Sequence, residues 1–416
     1  MGYIIFTLGT SGDVLPFLRI AAELINRGKQ VMFLGNEKFR QLALAYGVSN
    51  YHAVSTIEQY EKTYLDHKTW TIHQSKDHYR TYHFPAIEPV YKKIKEVVAT
   101  GEKPFLLFQD IGSGAKMACD EFDLNYCLIV LAPSALYSAE SPSFPLRIQI
   151  QQEDWHRAVP LLKEKARTTT FNTFVAPMIN PLRIEMGLTP LDKNMIAEPE
   201  QAKNLIGLFP EWLKPRPTDW PYNLHLINFL VDTPGLSHSN QNEKANNFIE
   251  KNGSPIVFTF GTGVPLTKSI LKKVAQISSL LSIPGILVGN PREIEADKYD
   301  NILIIPFIEF SELFPKARLV IHHGGIGTCA EALASGVPQL ISPFAFDQPD
   351  NAYLFWQLGV ANAVDFIKLT AEEIALQAKE LIDSSLVSEK CNQYKNIRQT
   401  NSVNFSVDLI EKMSSN

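Results

Sequence analysis

The stretch that most restricts this chain runs from Arg318 to Gln348, RLVIHHGGIGTCAEALASGVPQLISPFAFDQ. Leu319 to Ile321 is a short apolar, β-branched run, the profile of a buried parallel strand. His322-His323-Gly324-Gly325-Ile326-Gly327 is too rich in glycine for helix or strand, so the chain must turn tightly there. From Thr328 onward Ala330, Leu333 and Ala334 recur at helical spacing, and Gly336 before Val337-Pro338 reads as the stop. Gln339 to Ser342 then begins another strand. Strand, glycine loop and helix N-terminus together make an anion site, because free backbone N–H groups and the positive end of the helix dipole face one point. That term contributes about 0.3–2 kcal/mol for a bound anion, and a histidine at the same mouth adds a donor suited to phosphate.

Two other readings of the stretch are weaker. Adjacent histidines could form a metal pair, but neighbours on an extended segment point to opposite sides, and no Cys or carboxylate stands at ligand spacing. Gly325 to Ala330 also fits the dinucleotide fingerprint G-x-G-x-x-A, with Asp347 about 20 residues on. That fingerprint normally opens the first βαβ unit of its domain, and it does not explain the histidines.

His322 to Thr328 matches the pattern H-H-G-G-x-G-T, and Pro343 to Gln348 matches P-x-x-x-D-Q. With both at this spacing, the chain resembles the UDP-glycosyltransferase-type enzymes of the GT-B fold. It looks closest to the bacterial branch that holds antibiotic, sterol and rhamnolipid glycosyltransferases. The resemblance is good from Tyr3 to Leu34 and from Pro210 to Val360. It is poor between Tyr51 and Ile206.

A chain of 416 residues suits two or three domains. The net charge of −5 and the absence of any Lys/Arg run argue against a nucleic-acid partner. Cys119, Cys127, Cys329 and Cys391 form no C-x-x-C pair, which suggests reduced thiols and a cytoplasmic protein. Tyr3 to Leu8 is strand-length rather than leader-like, and no apolar run approaches the roughly 20 residues of a membrane-spanning helix. Docking on a membrane surface stays open, as does the oligomeric state.

The chain opens as βαβ. Tyr3-Ile4-Ile5-Phe6-Thr7-Leu8 predicts a buried strand and Gly9-Thr10-Ser11-Gly12 a glycine turn. Asp13 is placed to N-cap the following helix, whose first turn tolerates Pro16. Phe17, Leu18, Ala21, Leu24 and Ile25 give that helix one apolar face, and Gln30 to Leu34 is the next strand, so a parallel sheet is expected. From Tyr51 to Pro89 the periodicity dissolves into aromatics and histidines, among them Trp70, Tyr79, Phe84 and His83, at spacings that fit no metal-ligand set. We read this as a variable insertion whose aromatics, with Trp70, Tyr79 and Phe84 foremost, line the acceptor pocket. Phe105 to Phe108 and Cys127 to Leu131 resume the sheet. Asp110 and Ser134 follow those strands, at the carboxyl ends where open α/β sheets bind ligands.

Pro210 to Pro234, with Trp212 and Trp220, reads as a stiff linker. After it, Ile256-Val257-Phe258-Thr259-Phe260-Gly261-Thr262 nearly repeats Ile4-Ile5-Phe6-Thr7-Leu8-Gly9-Thr10. The expectation is therefore α/β, with two Rossmann-like, doubly wound domains facing each other across a cleft. The acceptor domain is expected over residues 1–210, the linker over 211–235 and the nucleotide-sugar domain over 236–400. The resemblance implies that residues 401–416 form a helix returning to the first domain.

Glycosyl transfer from a nucleotide sugar needs stabilisation of the leaving diphosphate, a base for the acceptor and orienting hydrogen bonds for the sugar. The resemblance implies that His323 contacts the diphosphate together with Gly325, Gly327 and Thr328, with Gly261 and Thr262 as a second phosphate contact. It further implies that Glu331 binds the ribose, that Phe307 and Ile308 hold the nucleobase, and that Asp347 and Gln348 grip sugar hydroxyls. Plant members carry Trp at the Phe307 position and Asn at Gly327. For the base it points to Asp13, where bacterial members with G-T-x-G-D-x-x-P have Asp and plant members His. The residues alone leave capping and catalysis both open for Asp13. Asp110 is a supporting candidate and His83 a further one. The expected activity is inverting, metal-independent transfer of a hexose, from UDP-glucose first and dTDP-rhamnose second. The expected acceptor is a hydroxyl of a largely apolar small molecule or lipid. An NAD-dependent oxidoreductase and a non-catalytic nucleotide-sugar-binding protein are the alternatives.

Overall fold

The computed structural model describes residues 2–64, 78–109, 114–144, 151–192, 199–231, 239–262, 266–289 and 299–415. β1 (Tyr3–Phe6), β2 (Val31–Asn36), β3 (Tyr51–Ser55), β4 (Phe105–Phe108), β5 (Tyr126–Val130), β6 (Leu205–Gly207) and β7 (Leu224–Leu226) form one sheet. Its order is β3-β2-β1-β4-β5-β6-β7. β8 (Ile256–Thr259), β9 (Gly285–Val288), β10 (Ile302–Ile305), β11 (Leu319–His322), β12 (Gln339–Ile341) and β13 (Ala361–Ala363) form the other, in the order β10-β9-β8-β11-β12-β13.

Every pairing in both sheets is parallel. A parallel sheet must be covered on both faces, and β1, β4, β8 and β11 are buried along their whole length. In each sheet the order reverses at one place, between β1 and β4 and between β8 and β11. The repeated sequence openings are β1 and β8, each at its sheet's switch point. Ligands of open α/β sheets bind in the crevice at the carboxyl ends of such strands. The two-domain α/β expectation therefore holds.

Three sequence expectations need adjusting. Asp13 is not the N-cap of helix Ser11–Asn26 but its third residue. Thr10, extended at φ −87° and ψ −177°, is the cap, and Asp13 completes a capping box. Its Oδ2 accepts the Thr10 N–H at 2.8 Å and the Thr10 hydroxyl at 3.1 Å. Within the aperiodic stretch, Tyr51–Ser55 is an edge strand, Ile57–Tyr64 a helix and Tyr79–His83 a π-helical turn leading into helix Phe84–Ala99. Between them, 65–77 lie outside the described residues, Trp70 included. The proline-rich segment is not a plain spacer. Its Leu224–Leu226 pairs with β6, and Trp220 is buried edge-on against Phe209 at 6.0 Å. An edge strand tolerates such proline flanks because its outer N–H row needs no partner.

The last helix, Ser402–Ser414, packs on the first domain. Val403, Val407, Ile410 and Met413 join that domain's core, and the Tyr3 hydroxyl meets Ser414 Oγ at 2.8 Å. Arg27 reaches Glu411 at 2.8 Å and the Asn404 carbonyl at 3.1 Å. These partly exposed pairs add little; the apolar face carries the docking. The same core extends to Cys329, Ala330 and Leu333 on helix Ile326–Ser335 of the second domain, so the domain interface is largely apolar.

Ile410 is fully buried. Ile410→Ala is expected to destabilise the protein by about 2–5 kcal/mol, read from urea unfolding. A loss no larger than that of an exposed site would show that the helix is not docked.

Candidate active site

At the second domain's switch point the two histidines have different jobs. His322, the last residue of β11, is fully buried between Thr259 of β8 and Ile341 of β12. Its Nδ1 accepts the Gly324 N–H at 3.1 Å, which puts the ring proton on Nε2, and Nε2 donates to Gln339 Oε1 at 3.0 Å. Gln339 in turn donates to the Cys329 carbonyl at 3.2 Å. Burial pushes the His322 pKa down to about 3, with His323 adding to the shift, so the ring is neutral and structural. Gly324 has φ +90°, and a Cβ there would come within 2.8 Å of Ile341 Cγ2. Only glycine turns the chain this closely.

His323 emerges from that turn half-buried. Its ring lies flat against two glycines: a Cβ on Gly261 or on Gly325 would stand 2.9 Å or 2.6 Å from Nε2. Burial pushes its pKa down to about 4, opposed by the Thr259 carbonyl, so it is a neutral N–H donor at ordinary pH. Its Nδ1 has no hydrogen-bond partner among the described residues. Gly325 caps helix Ile326–Ser335, whose first N–H groups lack intrahelical partners. A Cβ on Gly327 would meet nothing within 4 Å, so this side of the mouth is open. The oxidoreductase reading loses ground here, since the glycine turn follows the fourth strand of its domain in sequence, not the first.

The first domain's switch point carries Asp13. Gly9 leaves room for its carboxylate: a Cβ there would lie 2.3 Å from Oδ2. Burial raises the Asp13 pKa, while the Thr10 bonds, the charge of His83 and the Gln109 side chain oppose it. Tyr82 approaches the same turn, its hydroxyl 3.5 Å from the Gly9 carbonyl, and its ring packs on His83 at 5.5 Å. Across the cleft, Asp347 is pushed up to about 6, mainly by burial, and Asp13 contributes to that shift. One carboxylate from each domain therefore shares the cleft.

The other expected residues fall as follows. Gln348 Oε1 accepts the N–H groups of Phe344 at 2.8 Å and Ala345 at 3.0 Å, fixing the loop, while Asp347 Oδ2 accepts the Asn351 amide at 2.7 Å. Ile308 is buried and Phe307 half-buried. Thr328 is buried in the first turn of its helix. Thr262 meets the first domain, its Oγ1 accepting the Ser11 N–H and its carbonyl the Tyr60 hydroxyl, both at 3.4 Å. Glu331 is tied to Arg19 of the first domain at 3.3 Å. Tyr79 and Phe84 pack against the core, Tyr79 also on Phe174 at 4.5 Å. Ser134 is half-buried in the turn after β5. Asp110 lies outside the described residues.

Two residues went unremarked in the sequence. Arg19 interrupts an apolar helix face, the signal that could have flagged it. Phe346 is 56% exposed with φ +58°, and its ring lies 5.9 Å from His78 of the first domain. An aromatic residue held in that conformation costs about 1–3 kcal/mol. No pattern foretells it.

The two histidines should separate on mutation. His322→Ala strands two buried partners, each at about 1–3 kcal/mol, and should lower the melting temperature sharply. His323→Ala should leave the melting temperature near wild type and weaken nucleoside diphosphate binding about 10–100-fold. Calorimetric titration beside thermal unfolding checks both, and equal effects of the two substitutions would erase the division of labour.

Residues 286–402 match the family model described as Erythromycin biosynthesis protein CIII-like, C-terminal domain. The chain is 24% identical over 399 residues to the O-mycaminosyltylonolide 6-deoxyallosyltransferase of Streptomyces fradiae, covering 91% of this chain and 89% of that protein. Among solved structures it resembles the calicheamicin glycosyltransferase CalG4 with TM-score 0.69 at 14% identity, over 100% of this chain and 98% of the other. It also resembles the Streptomyces sp. SF2575 glycosyltransferase SsfS6 complexed with thymidine diphosphate, with TM-score 0.63 at 15% identity over 99% of each. With its two facing parallel sheets and the histidine–glycine turn of the second, the chain has the GT-B fold and is similar to UDP-glycosyltransferase-type enzymes, which transfer a sugar from a nucleotide sugar.

Proposed function

We propose that this glycosyltransferase moves a hexose, with inversion, from a pyrimidine nucleoside diphosphate sugar to a hydroxyl of a largely apolar small molecule or lipid. The observation that carries the reading is the meeting of the two switch points. Asp13 faces the cleft from one side, and His323, the helix N-terminus and Asp347 face it from the other. The acceptor hydroxyl gives its proton to the Asp13 carboxylate while its oxygen attacks the anomeric carbon from the face opposite the diphosphate. The bond from that carbon to the diphosphate oxygen breaks, and configuration inverts. The charge released falls on the Nε2–H of His323 and the free N–H groups of helix Ile326–Ser335, with Gly261 and Thr262 beside them.

The remaining roles follow the same geometry. Phe307 and Ile308 take the base, and Glu331, kept on Arg19 through Oε1, takes the ribose through Oε2. Asp347 and the Gln348 amide nitrogen take sugar hydroxyls, since the Gln348 oxygen is already engaged by the loop. UDP-glucose and dTDP-rhamnose are the donors to compare. The thymidine diphosphate held by the SF2575 enzyme and the 6-deoxyhexose named for the Streptomyces fradiae enzyme tilt the choice toward the thymidine nucleotide. Among the described residues, no group of three or more His, Cys, Asp or Glu side chains is placed to hold a metal. No helix there is long and apolar enough to cross a membrane.

Asp13→Asn tests the base. The amide keeps an oxygen for both Thr10 bonds, so stability should fall only by the loss of one first-turn charge, about 0.3–1 kcal/mol. Turnover should fall about 10²–10⁴-fold with nucleotide affinity near wild type. Turnover close to wild type would move the base elsewhere, or leave a binding protein rather than an enzyme.

The elevated Asp347 pKa gives a second expectation. Above about pH 6 its carboxylate is ionised and free to accept sugar hydroxyls; below that, a proton occupies it. KM for the donor should therefore rise as pH falls through about 6, while UDP or dTDP affinity changes less. His323, titrating near 4, stays neutral across this window. Asp347→Asn should flatten the donor KM profile, and an unchanged profile in that variant would remove Asp347 from sugar recognition. Turnover should also survive EDTA; loss on chelation, restored by Mg²⁺ or Mn²⁺, would require a metal site.

A further inference from the structure

The opening helix Ser11–Asn26 and the cradle helix Ile326–Ser335 each begin at their own domain's switch point, and one turn farther in they are joined by charge. Arg19 Nη2 donates to Glu331 Oε1 at 3.3 Å. Arg19 Nη1 donates to the Leu230 carbonyl, at the end of the connection leaving the first domain. Arg19 is 8% exposed and Glu331 7%. Arg19 stands six residues beyond Asp13, about 9 Å along its helix, and Glu331 five beyond Ile326, about 7.5 Å along its own. The cradle helix brings Cys329, Ala330 and Leu333, small or flexible side chains, into the shared apolar core. Surfaces of that kind can slide; a guanidinium held at two points cannot.

The pair is also poorly suited to serve stability alone. Buried ion pairs gain little net stability, because the loss of hydration offsets the attraction. Here the Arg19 Nε and the Tyr46 hydroxyl are both buried and face each other without a well-formed hydrogen bond: their geometry misses one, although they lie close enough to interact. Glu309 and Tyr46 add their fields to that of Glu331 at the guanidinium. Fixing register is the best-attested use of such a group.

We propose that Arg19 is a positioning residue for sugar transfer: by holding Glu331 and the Leu230 carbonyl together, it sets the distance between the base-bearing turn of one domain and the phosphate-binding turn of the other. The proposal rests on the transferase reading above. It adds a residue that touches neither substrate but fixes the near-attack geometry on which transfer depends, where a misplacement of about 1 Å can cost about 10²-fold.

The test compares wild type with Arg19→Met, Arg19→Lys and the double variant Arg19→Met/Glu331→Gln, whose amide removes the charge and keeps a bond for the ribose. The probes are UDP-glucose and dTDP-rhamnose, with 4-methylumbelliferone or water as acceptor, and release of the nucleoside diphosphate is measured at saturating donor. Nucleotide affinity and melting temperature are read in parallel. Arg19→Met should lose about 10–100-fold in kcat and show a lower melting temperature, with nucleotide affinity near wild type. Arg19→Lys, which keeps the charge but cannot hold both partners, should fall between. The double variant should regain the melting temperature, since no unpaired charge remains, yet keep the low kcat. Recovery of kcat in step with melting temperature in the double variant would make the pair merely structural and overturn the proposal, as would an unaffected kcat in Arg19→Met. Wild-type protein releasing nucleotide from neither donor would sink the transferase reading itself, and this inference with it.

Discussion

The donor half of the cleft hangs on the buried imidazole of His322. With one ring nitrogen it holds the N–H of Gly324, and with the other it reaches Gln339 on the neighbouring strand. Those two bonds fix where β11 stops and how sharply the chain leaves it. From that turn follow the placement of His323, the start of helix Ile326–Ser335 and the direction of its free N–H groups. The Asn351 amide closes the arrangement from below, donating to the Gly324 carbonyl at 2.9 Å. Low dielectric makes each of these bonds valuable, and one atom of the network, Asn351 Oδ1, is buried without a partner among the described residues. The ring must also stay neutral, and burial ensures that it does.

The first domain solves a different problem with the same architecture. Its switch point has to present a carboxylate, not receive an anion, so the glycine turn gives way to a capping box with Asp13 in it. Both Thr10 bonds fall on one oxygen. Capping and proton acceptance, which compete as explanations when only residues are in view, become compatible once the carboxylate has two oxygens to divide between them. The aromatic wall of Tyr60, Tyr64 and Tyr82 behind it keeps water scarce, and burial holds all three phenols protonated.

Much of this was legible in the sequence, for physical reasons. Fully buried parallel strands are continuous apolar runs, so β1, β4, β8 and β11 could be read to within a residue or two. The glycine turn at 324–327 announced itself by composition. The edge strands of the first sheet were not legible: β3 and β7 are short and partly exposed, and their residues look like loop. Nor was the Asp13 cap, because the choice between Thr10 and Asp13 depends on backbone angles set by β1. Arg19 and Glu331 stand 312 positions apart, and nothing local to either names the other. Pairings of that kind belong to the packing of domains, which no periodicity records.

The closing helix has a consequence for how the protein is made. The Tyr3 hydroxyl and Ser414 Oγ meet across 411 positions of sequence, so β1 leaves the ribosome well before the helix that seals its core. Domains commonly fold in the order of their synthesis, but here the first domain can reach only a provisional state while the second is still being translated. Until then, the surface destined for Val403, Val407 and Ile410 is bare. The nascent chain therefore exposes an apolar seat for as long as the intervening residues take to be made, and chaperone demand should track the synthesis time of the second domain rather than the stability of the first.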